Sequence, residues 1–266
     1  MITDLQWANR HAAVRQVAGL MARHEVGTVL VTGAGNGPVG IVNGTDLVRR
    51  VIAEDRNPLI TQVHEVMTRS VVMLEENHPI TEAVDLMTAR NVRHLGIGRE
   101  GRVVGIVAAC DVVVKDSIPI ASARTAMTRP LATIPLGATC QEAAVRMASA
   151  AVGCLLVTGR RVRPRPGQHR SAGADIAGIL TERDLVRKLV AADRDPYVTP
   201  VCSLMTTRLR TIAIEDPLRF AGELMACERL RHLIITGSPD EIVGILSVRD
   251  ILRAINGTRP PGASPQ

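Results

Sequence analysis

One eight-residue phrase occurs four times in this chain, and that repetition constrains the fold more than any other feature of the sequence. The copies are GIVNGTDL (40–47), GIVAACDV (105–112), GILTERDL (178–185) and GILSVRDI (244–251). Their aspartates, Asp46, Asp111, Asp184 and Asp250, are 65, 73 and 66 residues apart. A nearly fixed period of this length predicts an architecture of four repeated structural units.

A pair of methionines gives the same register. Met67-Thr68, Met127-Thr128 and Met205-Thr206 each lie 20 residues before a second methionine, and Met1 lies 20 residues before Met21. We call the first pair the Met-Thr lead. After it, each unit reads as a short strand, an amphipathic helix and two short strands, and the aspartate then opens a second helix. The prediction is an α+β fold of four β-α-β-β-α repeats, at about 1–57, 63–118, 123–195 and 201–257.

The hydroxyl residue and the aspartate of the phrase also have a purely structural interpretation. Thr181 and Asp184 are three residues apart, which is the spacing of a capping box at the start of a helix. A cap does not explain why the two copies with both residues also keep an arginine before the aspartate, Arg183 and Arg249. Capping and ligand binding therefore both stay open at this point.

The charge balance and the scarcity of aromatic residues restrict the class of ligand. The net charge is +6, which favours partners that carry phosphate. Trp7, Tyr197 and Phe220 are the only aromatic residues of these three types, and this counts against binding of single-stranded nucleic acid. Nucleic acid is a possible partner but not the favoured one. A bound base would have to lie against aliphatic side chains and backbone.

Several classes of site and location are excluded or favoured by simple patterns. The five cysteines include no C-x-x-C pair, so reduced thiols are expected, without disulfides or a zinc site, and the histidines show no metal-ligand spacing. We find no catalytic motif and no room beside the repeats for a catalytic domain, so an enzyme is not expected. The N-terminus does not read as a signal peptide, and no apolar run could span a membrane, so a cytoplasmic location is predicted.

In combination, three features resemble the CBS domain family: the Met-Thr lead, the RHL strand starts at 93–95 and 231–233, and the turn G-I-[LV]-[ST]-x-x-D-[LI]. The resemblance covers nearly the whole chain. It implies that repeats pair into so-called Bateman modules with two clefts for adenosine-containing ligands. Four repeats then imply two modules, 1–118 and 123–257, followed by a flexible tail, 258–266.

Residues seven positions after the inner methionine support that pairing. The second and fourth repeats have His94 and His232 there, each preceded by arginine, Arg93 and Arg231. The first and third repeats have small residues at the same two positions, Gly27-Thr28 and Gly153-Cys154. The repeats therefore alternate in type, as the pairs one-two and three-four would.

The resemblance also implies roles for individual residues. In the family the aspartate binds the ribose hydroxyls, the hydroxyl residue favours the phosphate, and strand residues near the lead cover the adenine. The Arg-His pair of the partner repeat reaches the phosphates. Carried over, the nucleotide-binding candidates are Thr181, Asp184, Arg231 and His232 for the third repeat, Ser247 and Asp250 for the fourth, Thr211 and Ile212 near the base of that fourth cleft, and Thr133 and Ile134 in the equivalent strand.

The first pair of repeats departs from the family pattern. The weaker candidates are Asn43, Asp46, Arg93 and His94 for the first cleft, and Asp111 for the second. Asn43 and Ala108 stand where a hydroxyl residue is expected, and Ala108 removes a hydrogen-bond donor. The third cleft is therefore expected to be the most complete.

The resemblance implies a regulatory protein that senses an adenine nucleotide (AMP, ADP or ATP) or S-adenosylmethionine, without catalysis or a covalent cofactor. It would act on an unidentified protein effector, as a homodimer or within one chain. Two alternatives are a nucleic-acid-binding, transcription-linked protein and a structural scaffold with empty clefts. An Arg-rich insertion at 160–175 reads as a solvated loop, with contact to a polyphosphate or an acidic partner as the sharper interpretation.

Overall fold

The computed structural model of the chain describes residues 2–33, 37–113, 118–159, 170–171, 174–238 and 241–257. The first repeat contains β1 (Trp7–Asn9), α1 (Val14–Arg23), β2 (Thr28–Thr32), β3 (Pro38–Asn43) and α2 (Gly44–Leu47), which continues as a π-helical turn, Val48–Ile52. The second contains α3 (Val63–Val66), β4 (Met73–Glu75), α4 (Ile80–Ala89), β5 (His94–Arg99), β6 (Arg102–Ala108) and α5 (Ala109–Val112).

The second half of the chain repeats this order. The third repeat contains α6 (Ala123–Ala126), β7 (Thr133–Pro135), α7 (Cys140–Ser149), β8 (Cys154–Thr158), β9 (Arg170–Ser171), β10 (Ala174–Thr181) and α8 (Glu182–Leu185), which continues as a π-helical turn, Val186–Val190. The fourth contains a 3₁₀ turn (Val201–Ser203), β11 (Thr211–Ala213), α9 (Leu218–Cys227), β12 (His232–Thr236), β13 (Ile242–Ser247) and α10 (Val248–Ile255). The predicted β-α-β-β-α order is confirmed in all four repeats.

Each repeat forms its own small sheet. The first strand runs parallel to the second, and the second runs antiparallel to the third, so the strand orders are β1-β2-β3, β4-β5-β6, β7-β8-β10-β9 and β11-β12-β13. The extra strand β9 belongs to the insertion and pairs with the start of β10. The rest of the insertion, 160–169 and 172–173, lies outside the described residues.

Helix α7 illustrates how the sequence specifies these elements. The Thr139 hydroxyl accepts a hydrogen bond from the backbone N–H of Glu142 at 3.2 Å, and the Glu142 carboxylate accepts one from the N–H of Thr139 at 2.7 Å. This reciprocal cap satisfies two N–H groups that a helix start leaves without partners. Ala143, Ala144 and Met147 follow at helical spacing and are fully buried.

The glycine of the repeated phrase lies inside the third strand of its repeat and not at a turn. A Cβ at Gly178 would lie 2.6 Å from the backbone oxygen of Thr206, and one at Gly244 would lie 2.6 Å from Met127 Sδ. Both neighbours belong to the Met-Thr lead of another repeat. The glycine is needed because this lead crosses directly over the strand.

Short bridges between repeats follow the same pattern. Thr68 pairs with Ile41 and Thr206 pairs with Ile179, which links the lead of one repeat to the third strand of the repeat before it. Ile2 with Ile106 and Thr128 with Ile245 make the return links. The exchange joins repeat one with two and three with four. The division into two modules stays a prediction that these contacts support.

The largest hydrophobic cores join the repeats differently. One core combines helices of repeats one and three, including Met21, Val51, Met147 and Leu189. The other combines repeats two and four, including Met87 and Met225. Two smaller clusters, around Leu30 and Leu156, lie between the sheets of repeats one and two and of three and four. Every repeat therefore packs against two others, and a space is left where all four meet.

Three further observations bear on function. Among the described residues, no helix is long and apolar enough to cross a membrane. Within the same residues, no group of three His, Cys, Asp or Glu side chains is placed to hold a metal ion. The five cysteines are free thiols, of which Cys140 and Cys154 are buried.

Candidate functional site

A cavity of about 1170 Å³ lies where the four repeats meet. Ligand pockets for small molecules usually enclose roughly 300–1,000 Å³, so this one could hold a nucleotide with room to spare. Two of the four motif aspartates, Asp111 and Asp250, line it, and they come from the second and fourth repeats. The cavity therefore joins two candidate clefts into one space.

The fourth repeat supplies the better-formed end of the cavity. At the start of α10, Asp250 Oδ2 accepts hydrogen bonds from the Ser247 backbone N–H at 2.8 Å and from the Ser247 hydroxyl at 2.6 Å. Arg253 Nη1 lies 3.4 Å from the other carboxylate oxygen, Oδ1. Burial raises the pKa of Asp250, while the hydrogen bonds from Ser247 act in the opposite direction. Oδ1 accepts a hydrogen bond from Arg253 Nη1 and is the carboxylate oxygen to which Ser247 does not donate.

The segment 128–132, which includes Leu131 and Ala132, forms another wall of the cavity, and the Thr128 side chain hydrogen-bonds Asp250. We expected Thr211 and Ile212 there, and this placement is wrong: they lie in β11 opposite Ile234 and Ile235 and do not line the cavity. The reason is the crossing of leads, which brings the third repeat's lead, not the fourth's, to the fourth repeat's third strand.

Thr133 and Ile134 begin β7 directly after that wall. Neither of them lines the cavity, and Ile134 is buried in the core of repeats one and three. The surface available to an adenine is aliphatic and backbone, as the scarcity of aromatic residues predicts.

Arginine dominates the lining of the cavity. Nine arginines and four acidic residues contribute to it. The arginines are Arg49, Arg93, Arg129, Arg146, Arg183, Arg229, Arg231, Arg249 and Arg253. Burial, followed by the proximity of other arginines, lowers the pKa of Arg231 to about 9 and that of Arg249 to about 10. The charged arginines are therefore destabilised by burial and by mutual repulsion, and an anionic ligand would reduce this repulsion.

One carboxylate partly compensates this charge. Glu182 is buried, and its Oε2 accepts hydrogen bonds from the Thr45 hydroxyl at 2.8 Å and from Arg93 Nη2 at 3.3 Å. Within the described part of the chain, Arg183, Arg231 and Arg249 form no ion pair with a carboxylate. The buried Nε atoms of Arg49 and Arg183 also have no hydrogen-bond partner there. These donors could bind phosphate oxygens.

His94 and His232, which line the cavity, are neutral. Burial, together with Arg93 and Arg231, lowers the pKa of His232 to about 3, and similar causes hold the pKa of His94 well below its usual value. Each imidazole can therefore exchange hydrogen bonds with a ligand but adds no charge.

The alternation of small residues with Arg-His pairs has a steric explanation. A Cβ at Gly27 would overlap the guanidinium of Arg231, and one at Gly153 would lie 3.3 Å from His232 Nε2. The glycines of repeats one and three therefore make room for the large side chains of repeat four beside the cavity.

Asp46 and Asp184 lie outside the cavity. Thr181 and Asp184 cap α8, as predicted, but Asp184 Oδ1 also forms an ion pair with Lys188 Nζ at 2.6 Å. In the first repeat, the Asn43 side chain caps α2 by accepting hydrogen bonds from the backbone N–H groups of Thr45 and Asp46. Asp46 Oδ1 lies 3.6 Å from Arg50 Nη1. The third cleft, which we expected to be the most complete, is therefore the one in which the protein's own Lys188 pairs with the aspartate.

Seven of the candidate residues come together around the cavity: Arg93, His94, Asp111, Arg231, His232, Ser247 and Asp250. The main residues that the sequence analysis did not assign are Arg183 and Arg249. The available signal was the arginine before each aspartate, which helix capping left unexplained.

Comparison with known proteins adds the family and the fold. The family model of the CBS domain matches residues 1–53, 63–117, 123–191 and 201–257. An Arabidopsis thaliana CBS domain-containing protein is 25% identical over 280 residues, which cover 94% of this chain and 51% of that protein. An uncharacterised Methanopyrus kandleri protein is 31% identical over 99 residues, covering 37% of this chain and 50% of its own.

The chain thus spans about half the length of these curated relatives. Among solved structures, a Methanocaldococcus jannaschii protein proposed as an archaeal homologue of g-AMPK superposes with a TM-score of 0.74 at 20% identity. The alignment covers 94% of this chain and 95% of that one, which shows a shared fold.

Proposed function

Because the chain belongs to the CBS domain family, we propose that it is a regulatory protein that binds an adenine nucleotide in its central cavity and acts on a partner protein without catalysis of its own. One observation carries this proposal. A single cavity connects a buried aspartate, suited to a ribose, with a group of arginines that lack carboxylate partners among the described residues. A diol at one end and a chain of phosphates at the other fit that arrangement.

In the proposed complex, Asp250 Oδ1 accepts hydrogen bonds from the ribose hydroxyls, and the adenine lies against Leu131 and Ala132. The phosphates extend from the start of α10 towards Arg231 and Arg249. Because the chain matches only about half the length of its relatives, they do not identify the effector protein. A homodimer is one form in which the chain could bind this effector.

Calorimetric titration with ATP, ADP, AMP, adenosine and S-adenosylmethionine tests the proposal. We expect ATP to bind most tightly and adenosine most weakly, because each phosphate adds contacts to arginine. Asp250→Ala should weaken ATP binding by about ten- to a hundredfold, the loss of one hydrogen bond to a charged group worth roughly 1.5–3 kcal/mol. Asp250→Asn controls for shape, and circular dichroism checks that both variants are folded.

Two results would contradict the proposal. If no adenosine compound binds the folded wild-type protein, the chain is better described as a scaffold with empty clefts. If salt-dependent binding of DNA is tighter than binding of any nucleotide, the transcription-linked alternative gains. The position of these nine arginines around one cavity, and not along an exposed surface, favours a small anion over a nucleic acid.

A further inference from the structure

The clefts of the first and third repeats are spanned by a basic side chain from the helix that carries the motif aspartate. Lys188 Nζ contacts Asp184 Oδ1 at 2.6 Å and donates a hydrogen bond to the backbone oxygen of Leu204 at 2.8 Å. Leu204 directly precedes the Met-Thr lead that crosses this repeat. The ammonium therefore joins the two sides between which a ribose would have to enter.

Arg50 does the same in the first repeat. Its Nη1 lies 3.6 Å from Asp46 Oδ1 and donates hydrogen bonds to the backbone oxygens of Val66 at 2.8 Å and Met67 at 3.1 Å. Arg50 and Lys188 both follow their aspartate by four residues, and both lie in a π-helical turn. Two unlike side chains thus form the same bridge at the same position.

The fourth repeat differs at that position. Four residues after Asp250 the chain has Ala254, in a regular α-helix, and this side chain is too short to reach the lead. The basic side chain that approaches Asp250 Oδ1, Arg253 at 3.4 Å, follows the aspartate by three residues and lines the cavity. The fourth cleft opens into the cavity, as does the second. The equivalent residue of the second repeat, Lys115, lies outside the described residues.

We propose that Lys188 and Arg50 are built-in occupants of the third and first clefts, so that these clefts exclude adenosine-containing ligands and binding is confined to the central cavity. The inference rests on the proposed function for the identity of the ligand. An ammonium or guanidinium that neutralises the aspartate and holds the lead's carbonyl oxygens takes the acceptors that a ribose would need. The residue four positions after the aspartate would then decide which repeats bind.

Lys188→Ala gives the third repeat the side chain that the fourth has. Calorimetric titration of this variant with ATP should show one more binding event than wild type. Asp184→Ala, added to Lys188→Ala, should remove that event, whereas Asp184→Ala alone should leave ATP binding within about twofold of wild type. Arg50→Ala is a second variant with the same expectation for the first repeat, should Lys188→Ala fail to fold.

The reciprocal change is Ala254→Lys. It should weaken ATP binding in the cavity by about tenfold or more, because the new ammonium can pair with Asp250. Ala254→Met is the matched control for bulk and should retain wild-type affinity within about threefold. An equal loss in both variants would show that bulk is sufficient and would overturn the role of the ion pair.

The outcomes separate this inference from the proposed function. If wild type binds ATP but the number of sites is unchanged in both Lys188→Ala and Arg50→Ala, the inference fails and the proposed function stands. If wild type binds no adenine nucleotide while Lys188→Ala does, the proposed use of the cavity fails and the inference is supported. If neither wild type nor the variants bind, both fail.

Discussion

Gly27 and Gly153 are important because the absence of a side chain leaves space for Arg231 and His232. Each lies immediately before the second strand of its repeat, and each faces a large side chain of the fourth repeat at the cavity. A glycine that precedes a strand is easily read as a turn residue. Here the space above it belongs to the proposed nucleotide site, because Arg231 and His232 occupy it.

Gly27→Ala should therefore act on Arg231. The added methyl group overlaps the guanidinium, so we expect the free energy of unfolding to fall by roughly 1–3 kcal/mol. The affinity for ATP should fall by a larger factor than the affinity for adenosine, because Arg231 is proposed to bind the phosphates. Urea denaturation and calorimetry measure the two effects.

Gly19→Ala is the matched control, because Gly19 lies in α1 and no atom comes within 4 Å of the place that the added methyl group would take. This change should stabilise the helix by roughly 0.5–1 kcal/mol and leave nucleotide binding unchanged. Equal stability and equal ATP affinity of the two variants would show that Arg231 does not restrict the size of the residue at position 27.

At the scale of elements, much of the fold follows from the repeat register. The buried runs at 154–158 and 232–236 coincide with β8 and β12, because short apolar segments between turns have few alternatives. The segment 181–192 reads as one regular helix, yet it is α-helical only to Leu185 and π-helical from Val186. Propensity does not distinguish these two forms.

The candidate site was predictable only in part. Ser247 and Asp250 line the cavity, as their motif suggested, whereas the equivalent Thr181 and Asp184 do not. Asp184 instead pairs with Lys188, which also donates a hydrogen bond to the backbone oxygen of Leu204 in another repeat. Contacts across repeats are not encoded in the local pattern of either repeat.

Strands β5 and β12 each begin with a neutral histidine, which makes the stability of the protein sensitive to acid. The pKa of His232 is about 3 in the folded state, below its usual value, so the unfolded chain takes up protons first as the pH falls. Stability should be fully present above about pH 6.5 and should decrease towards pH 3. The slope is at most about 1.4 kcal/mol per pH unit for each histidine.

Urea denaturation at several pH values between 8 and 4 measures this effect. His232→Gln should flatten the dependence, whereas His24→Gln, at an exposed position, should leave it unchanged. If His232→Gln and wild type lose stability in parallel, protonation of this strand start is not the cause.

At the scale of the whole molecule, the two halves of the chain share their main cores. Buried helical side chains such as Val51 of the first half and Leu189 of the second belong to one cluster. Neither half can bury these surfaces alone, so the halves should unfold in one transition and should bind each other when they are separated.

Splitting the chain tests this directly. Residues 1–120 with an affinity tag, co-expressed with untagged 121–266, should be purified as a one-to-one complex. Each half expressed alone should aggregate or self-associate, because it exposes the apolar surface of its helices. Two soluble, monomeric halves that do not interact would show that the shared cores contribute little.

The alternation of repeat types also has a historical consequence. Repeats one and three share a glycine before the second strand, a π-helical turn and a basic bridge, whereas repeats two and four share an Arg-His pair. Duplication of a gene for a two-repeat ancestor produces this order. In a symmetric dimer of that ancestor, each repeat would have faced its own copy, as repeat one now faces repeat three. The chain has the arrangement of such a dimer joined into one polypeptide, in which the two halves need not be identical. The two halves differ at equivalent positions, with Asn43 and Ala108 in the first and Thr181 and Ser247 in the second. A homodimer has identical chains and could not combine both sets of residues in one complex.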